Sequence, residues 1–188
     1  MFSAAVLSGC LLAASAANAA NEFEPQIKSF VETEIAPWLS DATVVDAIKA
    51  QNAKNASITE EDISKLDTDW RAQAKAGKGA LIDEVLSNAL SKFLQAKKEA
   101  AGGKIAEMFV MDNKGLNVGQ SDVTSDYMQG DEAKWQKTYP AGPGALFIDE
   151  IEFDDSSKAF QSQASMTIVD ETGAAIGAIT IGVNVEKL

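Results

Sequence analysis

The feature that most constrains this chain is a change of hydrophobic period at Gly102-Gly103. Before it, apolar residues recur at the spacing of amphipathic helices; after it, they alternate or run in short apolar blocks, as strands do. Phe23, Ile27, Phe30, Val31 and Ile35 form one apolar stripe, which Pro37 ends or kinks. Asp41 is placed to cap a second helix carrying Val44, Val45 and Ile48. Thr59 with Asp62 resembles a capping box and opens a helix bearing Ile63, Leu66 and Trp70. One strong amphipathic helix is expected over residues 80–101, with Leu81, Val85, Leu86, Ala89, Leu90, Phe93 and Leu94 on its buried side. The glycine pair stops it.

In the second half, residues 105–112 read as a strand that turns through Asn113-Lys114-Gly115 into residues 116–119. Residues 145–154, 158–170 and 175–185 read as three more strands, the last two joined by the hairpin turn Glu171-Thr172-Gly173. Short turns between successive strands require antiparallel pairing. Helices first and sheet second make the class α+β, not a doubly wound parallel fold. With 188 residues, 46% of them apolar, the chain suits a single domain over about residues 22–188. That length buries a core without help from a metal or disulfide.

The first twenty residues read as targeting. They carry no charged side chain, residues 2–16 are apolar, and Ala17-Asn18-Ala19 suits signal peptidase. The positive n-region is missing, which points to a start upstream of Met1. Residues 1–19 are therefore expected to be a Sec-type signal peptide, and the product a periplasmic or secreted protein. Leu7-Ser8-Gly9-Cys10 also looks like a lipobox, and the alternative is a lipoprotein anchored through Cys10. Against it, the apolar run continues through Leu11 and Leu12. Cleavage after Ala19 removes the one cysteine. No later stretch approaches roughly 18 uninterrupted apolar residues, so no membrane insertion is expected after cleavage.

Charge narrows the function. Twenty-eight Asp+Glu against sixteen Lys+Arg give a net charge of -12, and there is no histidine. An acidic chain does not suit nucleic acid or an anionic membrane surface. Without imidazole there is no Ser-His-Asp or Cys-His system, no His general base and none of the usual zinc sites. No cofactor motif stands out either. Gly77-Lys78-Gly79 lacks the spacing of a phosphate loop, and Gly173, Gly177 and Gly182 do not sit at a strand-to-helix junction. Asp112-Asn113-Lys114-Gly115 starts like a calcium loop, but Lys114 replaces the oxygen ligand.

Two segments carry candidate chemistry. In the polar stretch 119–144, Asp131 is placed to cap a short helix that Pro140 ends, and Trp135 and Tyr139 share its face. Tyr127, Trp135 and Tyr139 either wall a small pocket or pin the loop to the sheet. In the strand over 147–153, strict alternation puts Phe147, Ile151 and Phe153 on one face with Asp149 among them, and turns Glu150 and Glu152 to water. A carboxylate on an apolar face needs a donor, either loop amides or a cationic ligand group. The candidate lining is Asp122, Asp126, Tyr127, Trp135, Tyr139 and Asp149, with only Lys134 and Lys137 nearby. Such a pocket favours amine or cation-bearing ligands over dicarboxylates, with cation-π attraction of about 0.5–2 kcal/mol.

At these residues the chain resembles the extracytoplasmic PDC/Cache sensor domains, which have a PAS-like fold. The matching stretches are Phe109-Val110-Met111-Asp112 with its turn to Gly115, Ser125-Asp126-Tyr127 through Trp135, Ile168-Val169-Asp170-Glu171-Thr172-Gly173, and Ile176-Gly177-Ala178-Ile179. The resemblance covers roughly residues 23–188. It implies long N-terminal helices over a central antiparallel sheet of about five strands, and small-molecule binding between sheet and loops. It also implies signal transduction, with a ligand presented to a membrane receptor as the expected use of a free-standing domain. The chain departs from the pattern in carrying no second membrane segment and no output module. It also lacks the Arg near a Trp-Tyr pair of amino-acid-binding relatives, so no ligand class carries over. The alternatives are an interaction or scaffold protein with a non-functional pocket, and a carboxylate-based hydrolase.

Overall fold

The computed structural model describes residues 21–154 and 159–188. The expected signal segment, with Cys10 and Ala17-Asn18-Ala19, lies outside the described residues. No described helix is long and apolar enough to cross a membrane.

Local chemistry sets the helical half. Helix α1 (Glu24–Phe30) opens with Pro25, whose fixed φ suits a first turn. It then widens into a π-type turn over Val31–Ile35 and tightens into a 3-10 turn over Ala36–Trp38. Pro37 has no N–H to continue the ladder, so the expected stripe ends there. Helix α2 (Ala42–Lys54) is capped by Asp41, which accepts from the Thr43 amide at 2.8 Å. Helix α3 (Glu60–Ala76) carries the expected capping box, with both reciprocal Thr59–Asp62 bonds made.

The single helix expected over residues 80–101 is instead two, α4 (Ala80–Ser87) and α5 (Ala89–Ala100). Asn88 between them is extended, with ψ 165°. Its Oδ1 accepts from Ser91 N at 2.8 Å, while its Nδ2 donates to the Val118 carbonyl at 2.8 Å. The Ser91 hydroxyl donates to the Val85 carbonyl at 2.6 Å, re-satisfying an acceptor freed by the break. Hydrophobic spacing runs straight through such a joint, because Leu90 and Leu94 stay on the core side.

Five strands follow: β1 (Ile105–Met111), β2 (Asn117–Gln120), β3 (Leu146–Asp154), β4 (Ala159–Val169) and β5 (Ala175–Asn184). They form one sheet in the order β2-β1-β5-β4-β3, and every neighbouring pair is antiparallel. This is the expected α+β, PAS-like architecture. Alternation divides the sheet into two faces. Met108, Val110, Ala164, Ile168, Ile179, Ile181 and Val183 pack against Ile27, Val31, Ile48, Leu90 and Leu94 of the helices. Each fully buried aliphatic side chain there contributes about 1.5–3 kcal/mol, so this face anchors the fold.

The opposite face is mixed. Phe109, Met111 and Ala178 meet Trp135 and Tyr139. Further along, Ser165 and Thr180 pair with each other at 2.9 Å, and Gln161 and Gln163 continue the polar row. A third group, Ile63, Trp70, Ile82, Val85, Leu116 and Tyr127, packs α3 and α4 against the β1–β2 turn and the polar loop.

Asp67 of α3 ties that loop down. Its Oδ1 accepts the amides of Tyr127 and Met128 at 2.9 and 3.0 Å, and its Oδ2 accepts from Arg71 Nε at 2.6 Å. Burial pushes its pKa up, but Arg71 and the two amides outweigh it, holding the carboxyl below its ordinary value of 3.8. A depressed carboxyl contributes stability that is present above about pH 4 and lost as pH falls through the folded-state value. Asp67→Asn is expected to cost about 1–3 kcal/mol at neutral pH and to flatten the acid limb of the stability profile below about pH 4. Urea titrations across pH measure this; an acid limb unchanged in the variant would contradict it.

Candidate functional site

On the face away from the N-terminal helices, a groove of about 590 Å³ lies between the sheet and the polar loop. β1 supplies Glu107 and Phe109; β3 supplies Asp149, Glu150, Glu152 and Phe153; β4 supplies Gln161 and Gln163. The loop closes it with residues 123–125, Gln129 and residues 132–134. Five carboxylates thus face one ammonium, that of Lys134.

A β-bulge makes the carboxylates converge. In the β3–β4 register Ile148 opposes Ala164 and Ile151 opposes Ser162, so Asp149 and Glu150 share the space of one residue. The Asp149 carbonyl turns to the helix side, where it accepts from Asn21 Nδ2 at 2.8 Å and from the Ser162 hydroxyl at 2.7 Å. Ile148 and Ile151 consequently both pack against the core, and Asp149, Glu150, Glu152 and Phe153 all line the groove. Strict alternation would have sent Glu150 and Glu152 away from Asp149. The extra residue resets the phase, and that expectation is corrected.

The floor is polar and tightly built. Gln161 is 7% exposed, and its Oε1 has no hydrogen-bond donor among the described residues. The Gln161 amide lies over Gly182 of β5; a Cβ there would sit 2.5 Å from Gln161 Oε1, so a side chain at this position would displace it. Gln163 Nε2 reaches Glu107 Oε1 at 3.4 Å. Lys134 is held inside the groove by Glu132 at 2.9 Å, and its Nζ stands 5.4 Å from the centre of the Phe109 ring. An ammonium over an aromatic face, flanked by carboxylates, is the arrangement a cationic ligand would use.

Of the six residues nominated from sequence, Asp149 lines this groove. Trp135 and Tyr139 stack at 5.3 Å and pack under it against Phe109 and Met111, with Trp135 Nε1 donating to the Asp112 carbonyl at 3.1 Å. Asp122 pairs with Lys98 of α5 at 2.7 Å. Asp126 pairs with Arg71 of α3. Tyr127 lies against Trp70, ring centres 5.4 Å apart, on the helical side. The structure does not bring these six together. The short helix α6 (Ala133–Gln136) has Glu132 rather than Asp131 at its cap position, with no side-chain cap bond, and its Lys134 lines the groove.

Glu107, Phe109, Gln161 and Gln163 were missed. The available signal was the period of two in Gln161, Gln163, Ser165 and Thr167, a polar row on a strand whose other face carries Ala164, Met166 and Ile168. Buried polar rows of that kind need partners, and part of this row has none among the described residues.

No protein-family model matches the chain, and no curated protein matches it. Among solved structures it is similar to the sensory domain of the Campylobacter jejuni chemoreceptor Tlp3 with isoleucine bound, at 15% identity over 86% of this chain and 62% of that one, TM-score 0.41. It is similar to the V. cholerae histidine kinase DctB sensor domain, at 16% identity over 86% of this chain and 58% of that one, TM-score 0.39. It is also similar to the ligand-binding domain of the Pseudomonas fluorescens chemoreceptor CtaA in complex with L-alanine, at 11% identity over 87% and 59%, TM-score 0.40. The chain spans about three-fifths of the length of these domains. These neighbours are chemoreceptor and histidine-kinase sensor domains.

Proposed function

We propose that this chain is a non-enzymatic, extracytoplasmic sensor-type domain that binds a small amine in the acidic groove, for presentation to a membrane receptor. One observation carries the reading: four sheet carboxylates converge on one groove beside two aromatic rings, with Lys134 the one ammonium in its lining. Glu107, Asp149, Glu150 and Glu152 make the sheet side negative, so an ammonium gains Coulomb attraction and a carboxylate is repelled. Phe109 and Phe153 supply aromatic surface for the body of the ligand. Lys134 occupies the same environment as an internal ammonium. It competes with an incoming cation.

Absence of histidine from the whole chain leaves no conventional nucleophile-and-base set, which supports binding over catalysis. The uncharged segment ending Ala17-Asn18-Ala19 supports export with the single domain over 22–188 as product. A second reading, an interaction module, draws on Phe153 and Phe160, half exposed and in edge-to-face contact at 5.2 Å beside the edge strand β3.

Thermal-shift and calorimetric titrations with n-butylamine, short diamines, amino acids and succinate test this. Amines are expected to raise Tm, since a ligand that binds only the folded state stabilises it. Glu150→Gln with Glu152→Gln is expected to weaken amine binding about tenfold or more, and Lys134→Gln to strengthen it about threefold to tenfold. Tight succinate binding, or amine affinity indifferent to all three substitutions, would overturn the reading. A panel with no binder, combined with self-association abolished by Phe153→Ser, would favour the interaction module.

A further inference from the structure

A second cavity, of about 630 Å³, opens on the helical side between α2, α3, α4 and β2. It is separate from the acidic groove and shares none of its lining residues. Leu66, Leu81, Val85 and Val118 give it apolar walls, and Tyr127 and Asn55 line it as well. These last two side chains are 7% and 8% exposed. Tyr127 is held by the Trp70 ring, and its hydroxyl makes no hydrogen bond with any described residue. Asn55 spends its Nδ2 on Asp112 Oδ2 at 3.0 Å, while its Oδ1 accepts from no described residue. Neither atom is sealed from the cavity.

Charge in the lining is mixed: Lys54 and Glu84 stand 3.7 Å apart, and Lys65 lies with Asp62 and Asp69 on the α3 side. Burial, then Asp112 and Glu84, push the Tyr127 phenol up, so its hydroxyl stays protonated and donates.

We propose that this cavity is a second binding site, for a neutral molecule with an apolar body and a hydroxyl that accepts from Tyr127 and donates to Asn55 Oδ1. A carboxylate fits poorly, because Asp112 and Glu84 already act on the Tyr127 phenol with negative charge. The site stands independently of the amine reading of the groove.

The chain has two tyrosines, Tyr127 in this cavity and Tyr139 stacked on Trp135 across the sheet, which makes fluorine NMR selective. With meta-fluorotyrosine in both positions and cyclohexanol as the probe, the Tyr127 resonance is expected to shift saturably while Tyr139 stays in place. In the unlabelled protein, Tyr127→Phe is expected to weaken cyclohexanol binding, read by saturation-transfer NMR, about threefold to tenfold. Cyclohexanecarboxylate is expected to leave the Tyr127 resonance unmoved. A flat or non-saturating Tyr127 response, equal movement of both resonances, or undiminished affinity in Tyr127→Phe would each overturn the proposal. The amine titrations of the groove are read separately, so failure here leaves that result standing.

Discussion

Asp112 is fully buried at the end of β1, and its carboxylate is held by four neutral donors. Gln51 and Asn55 of α2 reach Oδ2 at 2.9 and 3.0 Å, and the amides of Lys114 and Leu116 reach Oδ1 at 2.8 and 3.0 Å. Hydrogen bonds to an ionisable acceptor are worth about 1.5–3 kcal/mol each, and an abandoned buried donor costs about 1–3 kcal/mol. One side chain therefore fixes the β1–β2 turn and clamps it to the helical half. Its carbonyl adds the third element by accepting from Trp135. Gly115 completes the turn at φ 78°, where a Cβ would lie 2.4 Å from Gly130. Helix, turn and loop meet at this point, so the position of the loop over the sheet follows from it.

With the loop anchored at one end, the sheet face divides by chemistry. Near β1 and β5 the loop lays Trp135 and Tyr139 on Phe109 and Met111, and the space is filled. Toward β3 the loop stops short, and the bulge at Asp149 turns acidic side chains into the remaining gap. The bulge is itself held from the other side by Asn21 and Ser162. A residue at the very start of the described chain thus shapes the acidity of a groove on the opposite face. This coupling across the sheet gives the N-terminal segment a physical link to the site.

Features carried by local pattern were legible in the sequence. The Asp41 cap, the Thr59–Asp62 box, the antiparallel hairpin at Gly173 and the α+β order all follow from short-range residue chemistry. What escaped depends on non-local bonds. Asn88 breaks a helix because Val118 lies within reach of its amide. The β3 bulge exists because Asn21 and Ser162 satisfy the turned carbonyl, and no periodicity in 147–153 encodes that. The candidate site suffered most. Asp122, Asp126 and Tyr127 lie close in sequence to the loop residues that line the groove, yet Lys98, Arg71 and Trp70 draw them to the helical side. The acidic and aromatic character expected of the site is present in the groove's lining, but on other residues: Glu107, Phe109 and the β3 carboxylates.

The central claim is that a small cation binds between the polar loop and the β3–β4 end of the sheet. Isotope-filtered NOEs between saturating n-butylamine and the labelled protein locate the contact directly. The account predicts cross-peaks from the butyl chain to the ring protons of Phe109 and Phe153, and none to Tyr127. Cross-peaks confined to Tyr127 and the helical cavity, or to surface residues outside the groove, would contradict it.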